Sequence, residues 1–319
     1  MSDKAQSNPL YIVGNVNIDL IMGPLDSWPQ RGTEVLLPSN TWRVGGSAGN
    51  SALAAEALGI PYRLIANKSD DIFGDWLAGH FANSQSWPTT QQSTSVTVGI
   101  THNDHERTFL TGQGNVEQLS INDVLSQLPE QSHGHEIVLL SGAFLTLNLL
   151  SHYQQLIQTL KNRQFKIALD CGWPPQGWQA VRPMVQKWLP WVDFLLLNEL
   201  EVLELSAQKN IERGAQLLHS WLPQLAHLVI KQGAQGASCY SNGQLYHCRT
   251  ASVNVVDTVG AGDIFNTGYL ASINESHSVD RALQWATTLA SSAISTHPRH
   301  ILSRSQLISD SKSGEKVYG

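Results

Sequence analysis

The stretch Asp257-Thr258-Val259-Gly260-Ala261-Gly262-Asp263 sets glycines that bare the backbone beside a carboxylate. Gly260 and Gly262 lack a Cβ, so the chain can turn sharply there and a ligand can approach the main chain. Ser252-Val253-Asn254-Val255-Val256, short and β-branched, is expected to be a strand. Residues 264–273 are apolar at helical spacing, so a helix is expected to open at about Asp263. The first N–H groups of a helix lack internal partners and carry partial positive charge. They suit an anion, phosphate in particular. A carboxylate at that point makes sense if Asp263 takes a proton from a hydroxyl while the amides hold the phosphoryl group under attack. The competing assignment is structural, with Asp263 as an N-cap and the glycines as turn formers.

Other polar groups fall at element ends. Asn17 and Asp19 follow a first strand at residues 10–13 and Gly14, and would share one face of an extended segment. Such a pair suits a polyol, or is a solvated strand face. Val44-Gly45-Gly46-Ser47-Ala48-Gly49-Asn50 leads into a helix over 51–59 that ends at Gly59. Asp170, Asn198 and Lys231 each close an apolar run of strand length.

The elements that must position these groups alternate. Strands are expected at 62–67, 136–140, 166–170, 194–198 and 227–231. Helices are expected at 76–84, 149–162, 178–189 (broken or started near Pro183), 201–205, 211–222 and 279–294. Strands that are apolar throughout, alternating with helices, make a parallel sheet covered on both faces. Ligands sit beyond the carboxyl ends of such strands, so Asp170, Asn198 and Lys231 should face one crevice with Asp263. Residues 94–101 alternate as a half-exposed strand, with a turn at 103–106 and a returning strand at 107–111. Residues 28–42, rich in Pro, Gly and polar side chains, look like an excursion from the main sheet. The polar segment 309–319 reads as a loose tail.

Composition bounds the rest. The chain has 319 residues, 41% of them hydrophobic, enough for one large α/β domain or two small ones. Net charge is -6 and no Lys/Arg-rich run exists, which argues against nucleic acid. Cys171, Cys239 and Cys248 form neither a CxxC nor an even framework, so a reducing cytoplasm is expected. Residues 1–9 are polar, with no apolar core of a secretory leader, and no run approaches the ~20 apolar residues of a membrane helix. There is no P-loop string, no complete GxGxxG and no zinc cluster.

The string D-T-V-G-A-G-D-x-F resembles the C-terminal signature of the ribokinase-like (PfkB) carbohydrate kinases, and residues 45–50 resemble their N-terminal signature. The resemblance spans about residues 10–300. It implies a three-layer, doubly wound, mostly parallel α/β sheet with a small β-sheet lid. That would be a single kinase domain over 1–319, with lid segments at about 15–43 and 94–111, where strands near 18–23 and 33–42 would join the hairpin in a small sheet. The implied activity is ATP-dependent phosphorylation of a hydroxymethyl group on a sugar or sugar-like acceptor. Asp263 would be the general base, and the amides of Gly260, Ala261 and Gly262 the anion hole. The acceptor would lie on Asn17, Asp19, Gly45, Gly46, Asn50 and Arg107, the last in a hairpin similar to the family's D-G-E-R-T-F segment. ATP, the co-substrate, would lie on Asn198, Lys231, Gly233, Gly236 and Thr258. Glu201, in Asn198-Glu199-Leu200-Glu201, would help place Mg2+ through water.

The chain departs from the family at three points. Ser47 stands where ribokinases proper often carry Lys, so ribose is not assumed. Ser69 stands where Gly is usual in the family's G-D-D-x-F-G turn. Residues 295–300 contain no glycine where the family often has a Gly-Ala pair, so activation by a monovalent cation is not expected and the base contacts near Thr287 stay open. A nucleoside kinase of the same fold, with Trp28 and Trp42 stacking on the base, is one alternative. A sugar-binding sensor or pseudokinase is the other. A homodimer through the lid is expected by analogy.

Overall fold

The computed structural model describes residues 8–103 and 107–314. Six parallel strands form the centre of an eight-stranded sheet: β1 (Leu10–Val13), β4 (Tyr62–Ile65), β9 (Ile137–Ser141), β10 (Lys166–Asp170), β11 (Phe194–Asn198) and β12 (His227–Lys231). Two antiparallel strands, β13 (Ala237–Ser241) and β14 (Gln244–Cys248), complete one edge, and the order is β14-β13-β12-β11-β10-β9-β1-β4. The central strands are buried almost throughout, as strands covered on both faces must be.

Alternate residues feed two cores. Ile12, Leu64, Leu139, Leu196 and Val229 pack with helices α1 (Ser47–Ala57), α9 (Ala261–Asn274) and α10 (Val279–Ile294). Val13, Leu140, Leu169, Leu197 and Ile230 pack on the opposite face. Their partners there include helices α3 (Ile121–Leu125), α5 (Tyr153–Asn162), α6 (Trp178–Trp188), α7 (Glu199–Ser206) and α8 (Ile211–Trp221). The result is the expected three-layer, doubly wound α/β fold.

A second sheet stands over the carboxyl edge. It joins β3 (Ser39–Gly45), β2 (Asn17–Leu25), β7 (Val96–His102) and β8 (Arg107–Thr111) in that order. A short third sheet pairs β5 (Lys68–Ser69) with β6 (Thr89–Thr90). The strand order reverses between β1 and β9, and crevices form at such switch points. Gly14 and Gly142 follow these two strands. A Cβ on the first would overlap the Ser141 carbonyl, and on the second the Asn15 side chain.

Several local expectations are corrected. Residues 252–256 form no strand. The Val256 and Asp257 amides donate instead to the Ile294 carbonyl, at 2.8 and 3.1 Å, so the segment follows the end of α10 rather than a sheet edge. The helix expected at 76–84 is α2 (Ile72–Ala78), because the Asp71 carboxylate accepts from the Gly74 amide (2.7 Å) and caps it earlier. The helix expected at 149–162 is divided into α4 (Leu147–Leu150) and α5, while α6 runs through Pro183. The strand expected at 33–42 begins only at Ser39, one residue after Pro38.

The expected loose tail is helical as far as Gly314, in α11 (Arg304–Gly314). Ser303 and Gln306 explain the start. The Gln306 amide donates to Ser303 Oγ, and Gln306 Oε1 accepts from the Ser303 amide (2.8 Å), a reciprocal cap. Leu307, one turn in, is fully buried. Leu307→Ala should therefore cost about 2–5 kcal/mol, read as a lower urea midpoint with an unchanged slope.

Candidate active site

Two helix N-termini, those of α1 and α9, open into the crevice. Gly46 precedes α1 at φ 82° and Gly260 precedes α9 at φ 80°, both left-handed conformations that glycine adopts without strain. α9 opens at Ala261, two residues earlier than expected, so Asp263 lies in its first turn and does not cap it. The Ala261 amide turns back onto the Thr258 carbonyl (3.1 Å), while those of Gly262 and Asp263 have no main-chain partner among the described residues. Of the three amides expected to form an anion hole, Ala261's is thus already engaged.

Asp263 is half-buried, and Asn50 Nδ2 donates to its Oδ2 (2.9 Å). Burial, then the charge of Asp170, push its pKa up to about 8, against the opposing effects of Asn50, Lys231 and Arg299. The two helices are tied there, since Thr267 Oγ1 on α9 donates to the Ser51 carbonyl on α1 (3.1 Å).

Asp170, Asn198 and Lys231 do end β10, β11 and β12, and Asp170 and Lys231 meet. Lys231 Nζ donates to Asp170 Oδ2 (2.8 Å), Asn266 Oδ1 (3.2 Å) and the Leu196 carbonyl (3.5 Å). Those three acceptors match the three protons of an ammonium. Asn266 Nδ2 also donates to Asp170 Oδ2 (2.5 Å). Lys231 is therefore a buried counter-charge before it is a phosphate ligand. Glu201 is 5% exposed and closes a capping box with Asn198: the Asn198 amide donates to Glu201 Oε2 and the Glu201 amide to Asn198 Oδ1, both at 2.8 Å. Burial and the neighbouring Asp170 raise its pKa.

A cavity of about 410 Å³ runs from the β12–β13 loop to α10. Lys231, Gly233, Gly236 and Thr258 line it together with Ala261, Gly262 and Thr287, so four of the five residues expected at the nucleotide share one wall system. Asn198 is not among its lining residues. The size falls within the ~300–1,000 Å³ usual for small-molecule sites. No three acidic, His or Cys side chains converge as a ready metal cage among the described residues. Carboxylates in excess of ammonium at Asp170, Glu201 and Asp263 fit a Mg2+ held mainly by water and phosphate.

On the lid, Asn17 and Asp19 share one face as expected. Asn17 Nδ2 donates to Asp19 Oδ1 (2.9 Å) and to Thr97 Oγ1 (3.2 Å). Sheet register places Arg43 opposite Asp19, with its Nε 3.9 Å from Asp19 Oδ2 and its Nη1 on the Asp257 carboxylate. A Cβ on Gly45 would overlap the Asp19 carboxylate, and one on Gly46 the Asn15 carbonyl. Gly45→Ala should displace Asp19 and raise the acceptor KM roughly tenfold, about 1.4 kcal/mol, while the ATP KM holds. Arg107 opens β8 opposite Thr101, and its side chain lies outside the described residues.

Of the tryptophans expected to stack on a base, Trp42 lies on the lid face away from Asp19. Trp42 alternates with Arg43 along β3 and packs on Phe73 (centroids 5.4 Å apart), while Trp28 stands 57% exposed beside His102. Phe109 and Ile21, flanking Gly99, form the apolar part of the lid face that carries Asp19. Sequence reasoning missed Arg43, Asn266, Thr97, Phe109 and Arg299. Arg43 was within reach, because period-2 alternation from Gly45 already placed it on the Asp19 face.

The pfkB family carbohydrate kinase profile matches residues 8–300. The ribokinase of Bacillus subtilis (strain 168) is 23% identical over 289 residues, which is 89% of this chain and 92% of the relative. The structure of adenosine kinase from Sinorhizobium meliloti superposes with a TM-score of 0.79 at 18% identity, covering 95% of this chain and 99% of that one. Arabidopsis thaliana ribokinase complexed with ribose and ATP gives 0.72 at 19%, covering 95% and 98%. The fold is that of the small-molecule kinases it superposes on. The chain belongs to the pfkB family of carbohydrate kinases.

Proposed function

We propose that the enzyme transfers the γ-phosphoryl group of MgATP to a hydroxymethyl group of a sugar or sugar-like acceptor. The observation that carries this reading is the position of Asp263. It sits in the first turn of α9, held by Asn50, directly after Gly262, which lines the cavity with Gly233, Gly236 and Thr258. In this reading the acceptor lies on Asn17, Asp19, Gly45, Gly46, Asn50 and Arg107. The free amides of Gly262 and Asp263 receive the moving phosphoryl group, and Asp263 takes the hydroxyl proton late in a loose transition state. Mg2+, when bound, offsets charge on the phosphates; Glu201 and Asp170 supply the negative surroundings for it. The lid excludes water, which would otherwise compete as acceptor.

A nucleoside acceptor is the second reading. Phe109 and Ile21, not the tryptophans, favour it, because they offer an apolar wall beside the polar pair. Nothing in the charge pattern points to nucleic acid, and no helix among the described residues is long and apolar enough to cross a membrane. We also propose a homodimer through the lid, which light scattering on a sizing column would check. Potassium and sodium salts should support equal rates, because the loop at 295–300 brings the Arg299 guanidinium to the Val259 carbonyl.

The test is ADP release with MgATP across pentoses, hexoses, keto-sugar acids and nucleosides. Saturable turnover on one class names the acceptor. Saturable binding without turnover on any of them overturns the kinase reading.

A further inference from the structure

We propose that Arg299 is a positioning residue for the transfer step: its guanidinium bridges the turn before α9 and Asn50, and through Asn50 it orients the carboxylate of Asp263. This rests on the kinase reading above. Arg299 Nη1 donates to the Val259 carbonyl (2.8 Å), and Nη2 donates to Asn50 Oδ1 (3.0 Å). Asn50 in turn donates from Nδ2 to Asp263 Oδ2 (2.9 Å).

The chemistry of the three groups gives the chain a direction. A guanidinium only donates and an ionised carboxylate only accepts. An amide between them has one satisfactory orientation, oxygen to Arg299 and nitrogen to Asp263. Remove the guanidinium, and the amide can turn its oxygen toward Asp263 whenever that carboxyl holds a proton. The base then loses its fixed donor and its fixed direction. Gly260 is shaped to this bridge, since a Cβ there would lie 2.6 Å from Arg299 Nη1 and 2.8 Å from Asn50 Nδ2. A side chain at 260 would drive the bridge apart, whatever its effect on the turn.

Charges of both signs surround the bridge. Arg43, Asp257, Asp19 and Asp263 all bear on Arg299, and Asp170 and Lys231 face Asp263 from the ends of β10 and β12. Loss of Arg299 removes one positive neighbour of Asp263, which favours its protonated form.

The experiment is a double-mutant cycle in kcat on Arg299→Ala and Asn50→Ala, with kcat/KM against pH for each. Wild type and Asp263→Asn are measured first. Arg299→Ala should lower kcat by roughly tenfold to a hundredfold, the scale of a misplaced reacting group, and move the acid limb of kcat/KM to higher pH. In the Asn50→Ala background the same change should cost markedly less, because the relay is already cut. Added guanidinium should restore part of the rate of Arg299→Ala. Should that variant fail to fold, Arg299→Gln is put through the same cycle with the same criteria.

A kcat within about threefold of wild type with an unmoved acid limb overturns the proposal. Multiplying effects of the two substitutions overturn it too, because then Arg299 does not act through Asn50. Wild type inactive on every acceptor removes the kinase reading and this inference together. An active wild type indifferent to Arg299 removes this inference alone.

Discussion

Asp263→Asn should lower kcat at least about a hundredfold, the scale of a lost general base, while the KM for MgATP stays within about threefold. The substitution keeps the shape of the side chain and its place in the first turn of α9, so the free amides of Gly262 and Asp263 stay where they are. What it removes is the ability to accept a proton. Retained turnover would show that the hydroxyl proton leaves by another route.

The same carboxylate predicts the pH profile. Burial and the Asp170 charge put its pKa at about 8. A base works only when ionised, so under the proposed role most of the free enzyme should hold the proton and be inactive below about pH 8. kcat/KM should therefore fall about tenfold for each pH unit below that value and level off above it. A flat profile from pH 6 to 9 would refute the assignment. Lys231 and Arg299 both oppose the upward shift, so removing either should move the limb to higher pH and never to lower.

Lys231→Met should destabilise the protein by about 3–5 kcal/mol, because it leaves a buried carboxylate without its counter-charge. Lys231 and Asp170 are 15% and 10% exposed in their side chains, so water screens the pair little. Three carboxylates, Asp170, Glu201 and Asp263, bear on this one ammonium, whose protons go to Asp170, Asn266 and the Leu196 carbonyl. With the ammonium gone, Asp170 keeps only the Asn266 amide as side-chain donor. Adding Asp170→Asn should recover much of the loss, since replacing both members of a buried pair costs far less than orphaning one. Urea unfolding of the two single variants and the double variant is the check. A single variant as stable as wild type would mean the pair contributes only solvated charge.

Much of this site could be read before the fold was known, for reasons that lie in particular residues. Asp170, Asn198 and Lys231 each close an apolar run, and a run buried on both faces can be polar only where it leaves the sheet. That places all three at one edge without any knowledge of strand order. Gly260 was legible for the same kind of reason, because its backbone conformation is one that other residues resist. Asn17 and Asp19 were legible through period 2.

Other features were settled only by contacts between distant segments. Whether Asp263 capped its helix or faced the crevice depended on where α9 begins. That is decided by a turn at Gly260 which makes room for Asn50 and Arg299, residues 210 positions before it and 39 after it in the chain. Lys231 lines the cavity as expected, yet its ammonium is also held by Asp170 and Asn266, a pairing across three elements that no local pattern announces. Trp42 and Arg43 are neighbours in the chain, and the lid's register sends one to Phe73 and the other to Asp19 and Asp257. The sequence by itself determined the layers, the crevice edge and the groups available there, because burial and backbone conformation act on each residue where it stands. Tertiary structure decided which of those groups are free to react, because hydrogen-bond saturation and charge balance depend on neighbours brought together from across the chain.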